Sequence, residues 1–203
     1  MVAGRGETKA FSKSGMMVKK FPSNLPGGKR QGKRNSFTIL DCIYSETSGT
    51  FYILDMMCWD RFQYYDCDTE FRFSWVRQKV LEDQDLGTKS KLNPYSFQTL
   101  PFYQSTRESI HQVLNSPLPL SDPLDGLLIY HKEVTARPPL HSPHLYLQVH
   151  YMPGRTPLVG WLKAYMVPEL MDIQVADMLM QQMPEVYGGM KIFLKKTYDR
   201  VSE

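Results

Sequence analysis

The sequence predicts an α+β protein built on antiparallel β-sheets with flanking helices, and three features lead to that prediction. Two β-rich runs, residues 37–44 and 51–59, flank a turn sequence that contains Ser48 and Gly49, which is the pattern of a β-hairpin. Apolar residues then recur at helical spacing over residues 69–83. Short apolar runs separated by glycine and proline follow, and these suit further strands.

The other elements follow in chain order. Thr69 is expected to cap the helix over residues 69–83, and the loop over residues 85–97 leads into a strand. Ser105 and Glu108 stand in capping-box register, which predicts a short helix ending near Asn115. Residues 125–132 and 156–163 are predicted strands, and the methionine-rich residues 168–186 are predicted to form one helix.

Length and composition bound the possible classes of protein. A chain of 203 residues with 42% hydrophobic content can bury one core of ordinary domain size. No apolar run is long enough for a membrane span or a secretory signal, so we expect a soluble, intracellular protein. Cys42, Cys58 and Cys67 are odd in number and form no CxxC pair, which argues against a disulfide framework and a structural zinc site.

Positive charge is concentrated near the start of the chain. Residues 1–34 hold nine lysines and arginines and a single acidic residue, Glu7, although the net charge of the whole chain is only +3. Such a segment can face phosphates, because lysine and arginine neutralise a nucleic-acid backbone and release counterions. It can equally be a solvated, mobile arm, and both interpretations stay open on sequence alone.

Several segments carry a resemblance to known proteins. The runs ILDCIYSE, FYILDMMCW, DGLLIYHK and TPLVGWLK resemble, in that order, strands of the nucleotidyltransferase fold of mRNA-capping enzymes and ligases. Together with FSKSG, LPGGKR, YDCDTEFRFSW and LGTKSKLNP, they more closely resemble the trimethylguanosine cap-binding domain of the snurportin family. That resemblance covers residues 11–166, and it implies a fold similar to the guanylyltransferase domain of capping enzymes.

The resemblance also implies a function and a site. Members of the family bind the 2,2,7-trimethylguanosine cap of U snRNAs without chemistry, as the cargo-recognition domain of a U snRNP nuclear import adaptor. Trp161 matches the residue that stacks on the methylated base, and Lys13 matches one in the cap pocket. Lys89 and Lys91 are possible RNA contacts, whereas Trp59 and Trp75 are expected in the core. Importin-β and an export receptor are the family's partners, and shuttling between cytoplasm and nucleus is the expected localisation.

The resemblance gives boundaries as well. Residues 1–167 are the expected cap-binding domain, residues 133–151 are an insertion relative to the family, and residues 168–203 form a C-terminal helix and tail. Family members carry an importin-β-binding helix and further strands, including another tryptophan, before the point that matches residue 1. We therefore expect the domain to be incomplete at its start and the chain alone not to recruit importin-β.

Two other functions remain alternatives to the cap-binding module. A guanylyltransferase or ligase needs a lysine in a K-x-D-G motif, and this sequence has none, so we expect no catalytic residues and no cofactor. A general RNA-binding module needs several exposed aromatic residues along a basic groove. His131, His141, His144 and His150 cluster in the sequence, but their spacing lacks the pattern of a zinc site, so we expect no metal.

Overall fold

Seven strands form one sheet in this computed structural model, which describes residues 1–31, 35–117, 122–132 and 159–189. The strands lie in the order β3-β2-β1-β4-β5-β6, and β7 pairs with β5 away from this path. Their bounds are β1 Val2–Gly4, β2 Glu7–Phe11, β3 Met17–Phe21, β4 Phe37–Ser45, β5 Thr50–Trp59, β6 Phe62–Gln63 and β7 Ser96–Thr99. Strands β8 Gly126–Tyr130 and β9 Val159–Lys163 make a separate two-stranded sheet. The predicted α+β class with antiparallel sheet is confirmed.

The predicted hairpin is the centre of the larger sheet. Strands β4 and β5 pair antiparallel from Ile39 opposite Cys58 to Ser45 opposite Thr50. Residues of β5 are buried almost throughout, and Phe51 of this strand stacks on both Phe21 and Phe97. Strand β7 pairs parallel with β5, and the sequence did not predict this pairing. The chain between the two strands contains a helix, which provides the crossover that parallel strands require.

The charged N-terminal segment contributes strands to this sheet. Residues 2–21 contain β1, β2 and β3, and Ala3, Thr8, Ala10 and Phe21 are buried. The mobile-arm interpretation is therefore wrong for this part of the segment. A segment with so many lysines can form strands because side chains alternate along a strand. Its small and apolar residues lie in the core while its lysines remain at the surface.

The sheet has two distinct ends. The β1–β2 turn (Arg5–Gly6), the β5–β6 turn (Asp60–Arg61) and the start of β4 lie at one end, because Gly4 pairs with both Glu7 and Phe37 and Trp59 pairs with Phe62. The β2–β3 and β4–β5 turns lie at the other end, as antiparallel pairing requires.

Helix α1 (Thr69–Glu82) forms where the sequence predicts it, but the predicted cap is wrong. Asp68 occupies the N-cap position, and Thr69 is the first helical residue. The Thr69 hydroxyl instead donates to the His131 carbonyl at 2.8 Å. A buried ion pair fixes the helix to the sheet, with Arg72 Nη2 2.8 Å from Asp55 Oδ2. The short helix α2 (Gln84–Gly87) follows, and α1 is too short to cross a membrane, as is every other helix in the described residues.

Helix α3 (Arg107–Asn115) also confirms a predicted helix and corrects its cap. Thr106 is the N-cap residue, and its hydroxyl accepts from the Ser109 backbone N–H at 3.2 Å. The Ser105–Glu108 capping box is therefore wrong by one residue. Both Ser105 and Thr106 have the hydroxyl that a cap requires, so sequence alone could not separate them.

The single methionine-rich helix is wrong as predicted. A 3₁₀ turn, Ala164–Met166, leads into α4 (Val167–Met171), and α5 (Asp177–Met180) follows after a break. Asp172 ends α4 in the left-handed conformation with φ of 52°. Ile173 lies within the break and is buried, so packing of the connecting segment interrupts the helical pattern.

Two compact units divide the chain. One consists of Met1–Phe102 with Tyr130–Leu158, and the other of Tyr103–Ile129 with Val159–Glu203. The second unit has its own core, which is formed by Leu114, Leu162, Ala164, Met166, Val167, Ile173 and Leu179. The insertion over residues 133–151 and the tail from residue 190 lie outside the described residues. The domain boundary at residue 167 stays a prediction.

Candidate functional site

Trp161 lies on the solvent side of β9. Side chains alternate along a strand, and Leu162 is 8% exposed in the core of the second unit whereas Trp161 is 60% exposed. Gly126 at the start of β8 permits the close approach of the two strands, because a Cβ there would overlap the Leu162 carbonyl. The structure thus places the indole at the surface, where a flat ligand can reach it.

A cation already lies over the Trp161 ring. Lys163 is two residues further along β9 and therefore on the same side, with its ammonium 4.0 Å from the centroid of the indole. The same ammonium lies 2.5 Å from Oδ1 of Asp125, the residue immediately before β8. The indole, the ammonium and the carboxylate form one cluster, in which an aromatic face binds positive charge beside a fixed negative charge.

Lys13 lies at the exposed tip of the β2–β3 hairpin. The Ser12 N–H donates to the Met16 carbonyl at 2.7 Å, the Gly15 N–H donates to the Ser12 carbonyl at 2.9 Å, and Gly15 has φ of 83°. This tight tip directs Lys13 into solvent. Four large apolar side chains on the same hairpin are exposed as well: Phe11, Met16, Met17 and Val18. The tip therefore combines one ammonium with an apolar surface.

Lys89 and Lys91 lie in the loop between α2 and β7, and both are exposed. Lys89 donates to the Ser48 carbonyl at 2.5 Å in the β4–β5 turn. That turn is at the same end of the large sheet as the Lys13 hairpin tip. The bond to Ser48 means that Lys89 supports the turn, while Lys91 extends from the loop.

The three cysteines of the described residues have raised pKa values. Desolvation raises the pKa of Cys42 to about 12, and burial also raises the pKa values of Cys58 and Cys67. Thiols in this state remain protonated near neutral pH and are poor nucleophiles and metal ligands. No three His, Cys, Asp or Glu side chains of the described segments come together as a metal site. The exposed Trp161 indole suits non-covalent binding of a flat, positively charged group, for which the Lys163 ammonium would be a competitor.

Comparison with protein families agrees with that chemistry. The family model described as "Snurportin1, m3G cap-binding domain" matches residues 1–164. The chain belongs to this family. The matched range contains Lys13, Lys89, Lys91 and Trp161, and it ends at Ala164, the first residue of the 3₁₀ turn. The snurportin-1 cap-binding family, to which the chain belongs, is a family of binding modules.

Sequence reasoning missed two features of the site. The sequence predicts Asp125 and Lys163 as the ends of strands, although the i, i+2 spacing of Trp161 and Lys163 places them on one side of β9. That spacing was a usable signal. The exposed apolar residues of the Lys13 hairpin gave no such signal, because apolar side chains in a predicted strand are ordinarily expected in the core.

Proposed function

We propose that this chain binds the 2,2,7-trimethylguanosine cap of RNA and that Trp161 is the platform on which the methylated base stacks. The family match supports cap binding, and the observation that carries the residue assignment is the exposed indole with an ammonium 4.0 Å from its centroid. Methylation at N7 leaves guanine with a delocalised positive charge. The indole face attracts such a cation, by about 0.5 to 2 kcal/mol beyond stacking.

Lys13 is the second proposed cap contact, by likeness to the family. Its ammonium can pair with a cap phosphate or donate to the guanine O6. Lys91 stays a possible RNA contact, and Lys89 stays one in addition to its bond to Ser48. The N2-dimethyl group removes both exocyclic donors of the base, so a site that accepts it needs apolar contact in place of a hydrogen bond at N2.

In the cell, the proposed role is that of the cargo-recognition domain in U snRNP import. Capped U snRNA would be bound in the cytoplasm and released in the nucleus, and importin-β and an export receptor would act on the same adaptor. Family membership supports this role, and the binding of free capped RNA is its first requirement.

Calorimetric titration with three cap dinucleotides tests the proposal. We expect trimethylated m3GpppG to bind about 2- to 30-fold more tightly than GpppG. This ratio corresponds to the attraction of about 0.5 to 2 kcal/mol between the N7 charge and the indole. Monomethylated m7GpppG separates the N7 charge from the effect of the N2 methyl groups. Equal affinity for GpppG and m3GpppG, or no binding of either, would refute the proposed function.

A further inference from the structure

Four basic side chains gather at the end of the large sheet opposite Lys13. Arg5 lies in the β1–β2 turn, Arg61 lies in the β5–β6 turn, and Lys29 and Arg30 lie in the loop between β3 and β4. All four are exposed. We refer to these four residues as the basic end, and none of them has a role in the proposed cap contacts.

Backbone contacts hold the three segments of the basic end together. The Gly6 N–H donates to the Gly27 carbonyl at 2.9 Å, and a Cβ on Gly6 would be 2.9 Å from the Cα of Arg30. The Arg61 N–H donates to the carbonyl of Phe37 at 2.8 Å, at the start of β4. Phe37 in turn pairs with the residue that precedes Arg5. The four cations are thus presented by one connected surface.

Turn chemistry does not explain the two turn arginines. Arg5 and Gly6 have φ of 58° and 80°, and Asp60 and Arg61 have φ of 47° and 70°. Two-residue hairpin turns with positive φ at both positions strongly favour Asn-Gly or Asp-Gly, whereas arginine is strained there. Of the five non-glycine residues with positive φ in the described segments, only Arg5 and Arg61 are neither asparagine nor aspartate. Strain concentrated in this way is typical of functional surfaces.

The nearest acids in sequence are already engaged. Asp60 accepts a hydrogen bond from the Ser36 hydroxyl at 2.6 Å. Glu7 forms ion pairs with Lys9 at 2.8 Å and Lys20 at 2.7 Å. Hydrogen bonds from these two lysines lower the pKa of Glu7 to about 2, so its charge is balanced within the sheet. The basic end therefore keeps a net positive field toward solvent.

An aromatic ring and a cavity accompany these charges. Phe62 is 57% exposed at the start of β6, and the Arg61 guanidinium lies 5.6 Å from its centroid. A cavity of about 190 Å³ lies at the basic end, and Lys29, Ser36 and Asp60 are among the polar residues that line it. Cations beside an exposed aromatic face are the combination that binds single-stranded RNA, in which phosphates pair with the cations and a base stacks on the ring. An acidic protein segment would need the cations and not the ring.

We propose that the basic end binds the sugar-phosphate backbone of the RNA that carries the cap, with Phe62 as a stacking surface for one base. This inference rests on the proposed function, because it assigns a second contact to the same RNA. Strand β5, with 10 residues, is about 33 Å long, so only RNA that extends well beyond the cap can reach this end from the Lys13 end.

The decisive variants improve the turns while removing the charge. Arg5→Asn produces an Asn-Gly turn and Arg61→Gly produces an Asp-Gly turn, which are the preferred dipeptides at these positions. Both proteins should melt at or above the wild-type temperature. Arg77→Gln is the matched control, because it removes one exposed charge from α1, outside the basic end.

Binding is measured with m3GpppG, with a capped single-stranded RNA of about 20 nucleotides and with the same RNA uncapped, over a range of salt concentrations. We expect the double variant to bind both long RNAs about 5- to 20-fold more weakly, with a salt slope shallower by about 0.7 for each lost phosphate contact. Dinucleotide affinity should stay unchanged. Arg77→Gln should leave the slope unchanged.

Three outcomes would overturn this inference. Long RNAs bound no more tightly than the dinucleotide, or an unchanged slope in the double variant, would show that the basic end does not contact RNA. Arginine-dependent binding of a polyglutamate peptide without an effect on RNA would assign the surface to an acidic protein. Failure of the wild-type protein to bind m3GpppG would instead refute the proposed function. Binding of the uncapped RNA would still test the basic end separately.

Discussion

Lys163 controls the charge that the Trp161 indole presents to a ligand. Its ammonium lies 4.0 Å from the ring centroid and 2.5 Å from Asp125. A methylated guanine that stacks on this indole brings a second cation to the same ring. The base must therefore displace the Lys163 ammonium or stack on the opposite face of the indole. In either arrangement Lys163 lowers the affinity for a cationic base.

Lys163→Gln should therefore raise selectivity for methylated caps. Removing the ammonium frees the indole and Asp125 for the ligand, so we expect the ratio of m3GpppG to GpppG affinity to rise about 2- to 5-fold, equivalent to 0.5 to 1 kcal/mol. Calorimetry with both dinucleotides gives the ratio. If both affinities fall together and the ratio is constant, Lys163 contacts cap phosphates and does not compete with the base.

A buried ion pair joins α1 to the large sheet. Arg72 donates from Nε and Nη2 to the two Asp55 carboxylate oxygens, each at 2.8 Å, and Asp55 also accepts from the Met56 N–H at 2.7 Å. Asp55 is 1% exposed and Arg72 is 4% exposed. Removing either partner would leave the other charged and desolvated.

Arg72→Met should destabilise the protein by about 3 to 5 kcal/mol, because Asp55 would then be buried without its cation. The double variant Asp55→Leu/Arg72→Met should cost less than the two single variants added together, since no isolated charge remains. Chemical denaturation of the wild type and the three variants measures this coupling. Additive losses would show that the two side chains stabilise the protein independently.

Local patterns predicted most of the elements, whereas distant contacts determined the rest. The β4–β5 hairpin follows from two β-rich runs around a turn sequence, and α1 and α3 follow from helical spacing and from polar residues near their N-termini. The parallel pairing of β7 and the break at Asp172 depend on packing between segments far apart in sequence. For the same reason Trp161 and Lys13 could be proposed only by resemblance, since neither residue differs locally from a core tryptophan or a surface lysine.

The whole molecule is expected to bind nucleotides without reacting with them. A capping-type enzyme would form a lysyl-nucleotide adduct, but the K-x-D-G motif is absent from the sequence. Incubation with radiolabelled GTP or ATP and magnesium, followed by denaturation, should leave no label on the chain. A labelled band that disappears on substitution of one lysine would show nucleotidyl transfer.

The most direct test of the account is the effect of Trp161→Ala on cap affinity and on stability, measured together. Stacking of a base on an aromatic side chain contributes about 1 to 3 kcal/mol, so affinity for m3GpppG should fall by that amount, and Trp161→Phe should bind with intermediate affinity. The melting temperature should stay close to wild type because the indole is 60% exposed. Tyr103→Ala, which truncates an aromatic residue that is 53% exposed, is the control and should change neither quantity. Unchanged cap affinity in Trp161→Ala, or a loss of stability of about 3 to 5 kcal/mol as for a core residue, would contradict the assignment of Trp161 as the cap platform.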